Sequence, residues 1–452
     1  MLFFSTLCVV VLTGYLIFKR YLPPAVLFAS GLILMGIASF CGRHEFVVLD
    51  EVDSSGTVLL DMFLQIKHIM TGKLADVGLV VMSASGFAAY MKYIGAAGAM
   101  IRVVTQPLLL VRRPYFVLVL VYFAAQILNI FIPSASGLGI LLMVSVYPVL
   151  VRIGLSPASV AAVIATAGAL DMGPASPSTN IAAELLGIGV VEYFTKYQVV
   201  IAFPVMLFTG ALHYYVQRGF DRRDILAGQR NFTAHHDSPA YRDVPGFYAL
   251  FPMLPVFLLV GLSDPISGRV KLDVVSAVFL SMTICIVIEY LRIFNLKKTF
   301  AGVKAFFNGM GTAFSSIVML IFAAQTFAYG LKAVGLMDWL LHFAQSSNVM
   351  VYVVTISLVG FASFITGSGN ASFFGFSGFV MHIAAGGGYE AVSLMLPVQF
   401  ATGLCRSISP VSGVVIAVAG VSEVDPIEII KRTAIPMLSA VLLTSVLSKL
   451  IL

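Results

Sequence analysis

Four short clusters of small polar residues interrupt long apolar stretches of this chain. Two of them are Pro133-Ser134-Ala135-Ser136-Gly137 and Thr366-Gly367-Ser368-Gly369-Asn370. The other two are Gly173-Pro174-Ala175-Ser176-Pro177-Ser178-Thr179-Asn180 and Arg406-Ser407-Ile408-Ser409-Pro410-Val411-Ser412-Gly413. Hydroxyl and amide groups at such breaks supply hydrogen-bond donors with little bulk. A helix that starts there adds unpaired N–H groups and about half a unit of positive charge. Gly and Pro make the broken backbone accessible. Together this is carboxylate-binding chemistry. The candidate ligands are Ser134, Ser136 and Gly137; Ser176, Ser178, Thr179 and Asn180; Thr366, Ser368, Gly369 and Asn370; and Ser407, Ser409 and Ser412. Unwound carbonyls at the same places can coordinate a sodium ion.

Arg406 is the sharpest single residue. It lies deep in an otherwise apolar stretch, too far from either end to snorkel easily, and charges in such places mark functional sites. A guanidinium holds a carboxylate bidentately, so Arg406 either binds the anion or pairs with Asp171 or with backbone carbonyls. Asp171 precedes the first break and is the only Asp placed deep inside a span. It suits a coupling cation or proton, or serves to balance Arg406; Glu184, one turn beyond Asn180, is a second coupling candidate. Lys92 and Lys332 sit near span ends and read as snorkelling side chains. His213, His342 and His382 are scattered and read as packed or interfacial. Cys8, Cys41, Cys285 and Cys405 have no metal or disulfide spacing.

The elements that must hold these residues follow from composition. Only 11% of the 452 residues are charged, and mean hydropathy is +0.99. A soluble domain carries about 25% charged residues, so a water-soluble fold is excluded. Apolar runs long enough to cross a bilayer, about 20 residues each, recur near 3–18, 22–41, 77–95, 157–190, 198–216, 246–262, 273–291, 313–335, 390–421 and 434–451. Residues 2–18 lack a charged lead and a small-residue cleavage site, so they read as the first span. The stretches 115–151 and 348–385 are too long for one helix and break midway, which predicts re-entrant hairpins. Residues 57–75 and 297–312 read as amphipathic segments lying along the interface.

Basic residues flank cytoplasmic ends. With both termini placed in the periplasm, the inside segments collect 17 of the 27 Lys and Arg. The formal charge of +6 is then a topology signal, with no nucleic-acid partner implied. FAAYMKYIG at 87–95 matches FAYGLKAVG at 327–335, and FIPSASG at 131–137 matches FITGSGN at 364–370. The reading is an all-α membrane protein of two five-span repeats, 1–216 and 246–452, joined by a polar cytoplasmic linker at 217–245. Each repeat has one hairpin (115–151, 348–385) and one broken span (157–190, 390–421). An odd span number inverts the second repeat, a recurrent transporter plan with the site near the midplane.

At GFAAYMKYIG (86–95), TGSGNASFFGF (366–376), RSISPVSGVVIAVAG (406–420) and IEIIKRTAIPML (427–438), the chain resembles the DcuC-type C4-dicarboxylate carriers of bacterial inner membranes. The resemblance extends over most of the length. It implies the wider ion-transporter superfamily, with a scaffold and an elevator-type transport domain, and a homodimer. It also implies succinate, fumarate, malate or aspartate as substrate, moved by exchange or with protons or sodium, and no other cofactor. Hairpin tips touch carboxylates in related carriers; the nearest equivalents are Ser134, Ser136 and Gly137, and Ser368, Gly369 and Asn370. A carrier of another carboxylate is the alternative, with an anion channel or an intramembrane enzyme behind it. An aspartyl protease of the GxGD type needs a second intramembrane Asp, and Gly72-Lys73 is followed by Leu74, so no ATP-binding Walker motif is present.

Overall fold

A computed structural model describes residues 2–19, 21–42, 55–106, 113–226, 244–262, 272–335, 348–387 and 390–452. The middle of the linker and His342 lie outside them. All regular elements among the described residues are helical. The first part comprises α1 (Leu2–Phe18), α2 (Pro23–Phe40), α3 (Val58–Lys73), α4 (Leu79–Ile94), α5 (Ala96–Thr105), α6 (Pro114–Phe131), α7 (Ala135–Ser145), α8 (Tyr147–Arg152), α9 (Pro157–Ala165), α10 (Pro177–Leu186) and α11 (Val199–Leu226). The second comprises α12 (Leu254–Leu262), α13 (Val274–Ile293), α14 (Leu296–Ala313), α15 (Met319–Ala333), α16 (Asn348–Thr366), α17 (Gly369–Gly387), α18 (Ala391–Arg406), α19 (Gly413–Ser422) and α20 (Pro426–Ile451).

Local chemistry places the starts. Proline stands in the first turn of α2, α6, α9, α10 and α20, where its missing N–H costs nothing. Ser156, Ser176 and Asp425 accept backbone N–H groups as N-caps of α9, α10 and α20. Among the described residues six helices are long and apolar enough to cross a bilayer, including Val190–Leu226 and Leu296–Ala333. Large side chains such as Phe203, Phe307 and Leu442 remain exposed on these helices. In water such surfaces would be a liability; in a bilayer they meet lipid.

Helix is interrupted where each of the small polar clusters falls. The chain turns between α6 and α7 at Ile132–Ser134, and between α16 and α17 at Gly367-Ser368. Two expectations are corrected. Residues 57–75 and 297–312 do not form separate segments. Each runs through a π-helical turn, Leu74–Gly78 or Phe314–Val318, into the following helix. A π turn absorbs one extra residue without ending the helix, so no terminus forms there. The helix expected to end near 216 continues to Leu226. In addition α5 turns away from α4 by 80° at Gly95, an element the apolar pattern did not reveal.

The element order recurs. The π turns at Leu74–Gly78 and Phe314–Val318 lie 240 residues apart, and so do the positive-φ glycines Gly95 and Gly335 that follow them; a third π turn spans Tyr193–Gln198. The two parts interlock rather than sit side by side: α2 packs on α15, α4 on α14, α7 on α19 and α11 on α20. One apolar cluster accordingly extends from Leu27 to Ala440.

A buried charge cluster ties α6, α9, α11 and α20 together. Arg432, 1% exposed, donates to Asp221 Oδ1 (2.7 Å), to Glu428 Oε1 (3.0 Å) and to Asp224. Asp221 also accepts from Ser156 (2.6 Å), Ser159 (2.8 Å) and Tyr115 (3.0 Å). Removing one partner of a buried ion pair leaves the other uncompensated and costs about 3–5 kcal/mol. Asp221→Ala should therefore lower the thermal midpoint of the detergent-solubilised protein, whereas Lys431→Ala, on an exposed pair, should leave it nearly unchanged.

Candidate functional site

The two broken spans cross where each loses its helix. The first unwinds after Ala165 through a set of turns in which Gly168 (φ 70°), Asp171 (φ 37°) and Gly173 (φ 112°) all take positive φ. For an aspartate this conformation carries strain of about 1–3 kcal/mol and persists only where the surroundings enforce it. They do so through both faces of the residue. Ser176 Oγ donates to its Oδ1 (3.0 Å), and Ser178 Oγ lies 2.9 Å from its Oδ2. Its backbone carbonyl accepts from Gln399 Nε2 (3.1 Å) on α18. Beneath the break, Gln198, Gln399, Thr179 and Tyr193 form a buried network: Gln198 Nε2 donates to Gln399 Oε1 (3.1 Å), and Tyr193 Oη donates to the same oxygen (2.8 Å). Gln198 Oε1 accepts the Gly173 N–H (3.1 Å). The unwound backbone is thus satisfied from inside the protein, as the bilayer requires.

The crossing is tight. A Cβ at Gly403 on α18 would stand 2.2 Å from the Ala169 carbonyl oxygen and 3.7 Å from Asp171 Cβ. The hairpin tips close on the second break. A Cβ at Gly367 would stand 2.7 Å from the Val411 carbonyl, and one at Gly413 would stand 3.2 Å from Ser136 Oγ. Tip and break contributions from both parts of the chain therefore meet in one place.

A cavity of about 750 Å³ opens there. Ser134, Ser136 and Gly137 of the first tip line it, with Asp171 and Pro177 of the first break, Asn370 of the second tip, and Arg406. Ser134 caps α7 by accepting from Gly137 N (3.2 Å). The N-terminal turn of α7 and the first residues of α10 and α17 thus border the same space, and each helix start brings positive potential. Arg406 Nη2 donates to the Gly168 carbonyl (2.9 Å), while its Nε has no partner among the described residues. No ion pair joins Arg406 to Asp171 among the described residues, so of the two structural alternatives only the carbonyl contact is present. A buried cationic donor left unpaired is costly, and the Arg406 side chain lines the cavity with no carboxylate bonded to it among the described residues. Ser178 Oγ, also 3.1 Å from Asn370 Oδ1, can donate to one of its two acceptors at a time and so links the first break to the second tip.

The remaining sequence candidates stand behind this wall. Thr179 belongs to the glutamine network, and Asn180 donates to the Pro174 (2.8 Å) and Ser176 (2.7 Å) carbonyls. Thr366 and Ser368 bond to each other and to Ser372 and Ala371, shaping the second tip, while Gly369 packs on the Thr402 carbonyl. Ser407 donates to the Gly403 carbonyl (2.9 Å), and Ser409 accepts from Val411 N (3.3 Å). Ser412 is buried with no partner for its hydroxyl among the described residues. Glu184 lies farther along α10 and does not line the cavity. No group of three or more His, Cys, Asp or Glu suited to a metal occurs among the described residues.

Sequence reasoning missed the opposite wall. Lys92 on α4 faces the cavity, as do Asn308, Thr312 and Ser316 along α14 and its π turn. It missed the Gln198–Gln399–Tyr193 network too. An amide or phenol inside an apolar span was the available signal, since such groups need a buried partner. Gly403→Ala should push the two breaks apart, an overpacking penalty of about 1–3 kcal/mol. A lowered thermal midpoint of the purified protein would check it, and an unchanged one would contradict the close crossing.

Comparison with known proteins agrees with these features. Residues 2–451 match the family described as the C4-dicarboxylate anaerobic carrier, DcuC. The anaerobic C4-dicarboxylate transporter DcuC of Escherichia coli strain K12 is 32% identical over 447 residues, 98% of this chain and 95% of that protein. The protein of the same name from Shigella flexneri matches with the same 32% identity and coverage. Among solved structures, the Alcanivorax borkumensis YdaH transporter, described as having an unusual topology, superposes with a TM-score of 0.64 at 15% identity, covering 94% of this chain and 98% of that one. This likeness concerns the fold alone. By its whole-length match, the chain belongs to the DcuC family of C4-dicarboxylate anaerobic carriers, and is a multi-pass membrane transporter rather than an enzyme.

Proposed function

We propose that this protein carries C4-dicarboxylates such as succinate, fumarate, malate or aspartate across the bacterial inner membrane as a secondary active transporter. The observation that carries the proposal is the Arg406 guanidinium, which lines the same cavity as the first hairpin tip and Asn370 and has no carboxylate bonded to it among the described residues. One carboxylate of the substrate pairs with Arg406, where charge assistance makes the bond strong. The hydroxyls of Ser134 and Ser136 beside Gly137 at the start of α7, with the Asn370 amide, receive the rest of the anion.

Coupling to sodium or protons falls to Asp171, with Glu184 as the second candidate. Asp171 holds its carboxylate between two serine hydroxyls at the cavity wall, so a bound proton or cation there also changes the charge that the substrate meets. In this reading the two repeats are inverted, both termini lie in the periplasm, and the chain works as a homodimer. The hairpins and broken spans move together as an elevator-type transport domain against the scaffold. The support is the recurrence of the π turns and of the helix–break order along the chain.

Proteoliposomes test this directly, with uptake of labelled succinate measured while sodium and proton gradients are imposed separately. Truncating one member of a buried, hydrogen-bonded charge pair costs about 2–5 kcal/mol. Arg406→Ala should therefore reduce uptake at low substrate about 30-fold or more, and Arg406→Lys should recover only part of it. Uptake by Arg406→Ala with unchanged KM would refute the ligand role. Asp171→Asn should alter the sodium or pH dependence, and an unchanged ion profile would remove it from coupling.

A further inference from the structure

Lys92 and Lys332 occupy equivalent places in the recurring pattern. Each lies 14 residues past the end of its π turn, at Gly78 or Val318, and three residues before a positive-φ glycine, Gly95 or Gly335. Each precedes that glycine in the same local turn, in which Gly95 N–H donates to the Lys92 carbonyl (3.2 Å) and Gly335 N–H to that of Lys332 (2.9 Å). Their surroundings nonetheless differ. Both side chains are exposed, but Lys92 lines the cavity that reaches Arg406 and Lys332 does not. The cavity extends along α4 from Ser85 to Lys92, and along α14 between Ala305 and Ser316. It therefore runs from the breaks toward one end of the helices only.

The geometry points to a pair of alternating entry cations: Lys92 draws the dianion into the site from one side of the membrane, and Lys332 does so from the other. The inference rests on the carrier reading above. In the orientation set by the basic flanks, Lys92 serves the cytoplasmic side and Lys332 the periplasmic side. A dicarboxylate has two charges to match, and Arg406 accounts for one. A lysine on the path to the site supplies long-range attraction for the other, which speeds encounter and weakens with salt. The four-carbon stem lets the ammonium follow the anion inward without fixing it, as a point charge rather than a planar clamp. Asp171 is the acidic residue lining this cavity, at its deep end.

Membrane vesicles of known sidedness separate the two roles, with initial rates of labelled succinate exchange measured in inside-out and right-side-out preparations. Lys92→Met should raise KM about tenfold when succinate is presented at the cytoplasmic face and leave KM at the periplasmic face unchanged. Lys332→Met should give the mirror result. The effect should shrink at high ionic strength, and Lys92→Arg should restore the wild-type KM. A change on both faces, or on neither, overturns the inference; the unaffected face reports that the variant is folded. A wild-type chain that moves no succinate in either preparation overturns the carrier reading itself, and this inference with it.

Discussion

The architecture depends on two unwound backbones passing within contact distance inside a bilayer. Lipid offers no hydrogen bonds, so each peptide group freed by a break needs a protein partner or a water-filled cavity. The crossing at Gly403 and Ala169 meets that constraint by bringing the breaks together. Gln399 on α18 reaches the Asp171 carbonyl, and Gln198 reaches the Gly173 N–H. The same closeness brings Asp171 and Arg406 to one cavity without joining them in an ion pair. Stability and function thus share one geometric requirement: the peptide groups that cannot stay helical are the ones that build the site.

Two arginines, Arg432 buried and Arg406 partly buried, show how differently one residue type can be used. Arg432 meets three carboxylates and a serine hydroxyl, and its charge is compensated by the fold. Arg406 meets one backbone carbonyl and keeps a donor without a partner. The first arrangement cements α9, α11 and α20; the second leaves binding energy available for an anion. If, as proposed, a substrate carboxylate pairs with Arg406, its occupancy changes the electrostatics around the residues that hold the breaks together. The proposed coupling of substrate and cation then needs no distant relay, since Asp171 and Arg406 border the same space.

Much of this was legible in the sequence because breaks in apolar spans are chemically conspicuous. Gly, Pro, Ser and Asn at membrane depth have no place in a lipid-facing helix, and their order located the four interruptions of helix. Arg406 and Asp171 stood out for the same reason. The rest depended on which neighbour a side chain meets, and one-dimensional pattern does not carry that. Lys92 looked like any lysine near a span end until α4 and α14 enclosed a cavity beside it. Arg432 looked like a flanking charge until Asp221 and Asp224, more than 200 positions earlier, closed around it. The π turns left no trace in composition, since a single extra residue in a helix changes neither hydropathy nor capping.

The convergence of the first hairpin tip with the second break is the most direct point at which to test the account. With Cys8, Cys41, Cys285 and Cys405 replaced, cysteines introduced by Ser136→Cys and Gly413→Cys should form a disulfide within one chain under mild oxidation, because the Ser136 hydroxyl stands 3.2 Å from the position of a Cβ at 413. Loss of both thiols to a membrane-permeant label measures the bond, and added succinate should slow its formation by occupying the adjoining cavity. Two thiols that remain independently reactive, with or without succinate, would contradict the claim that the breaks meet to form the site.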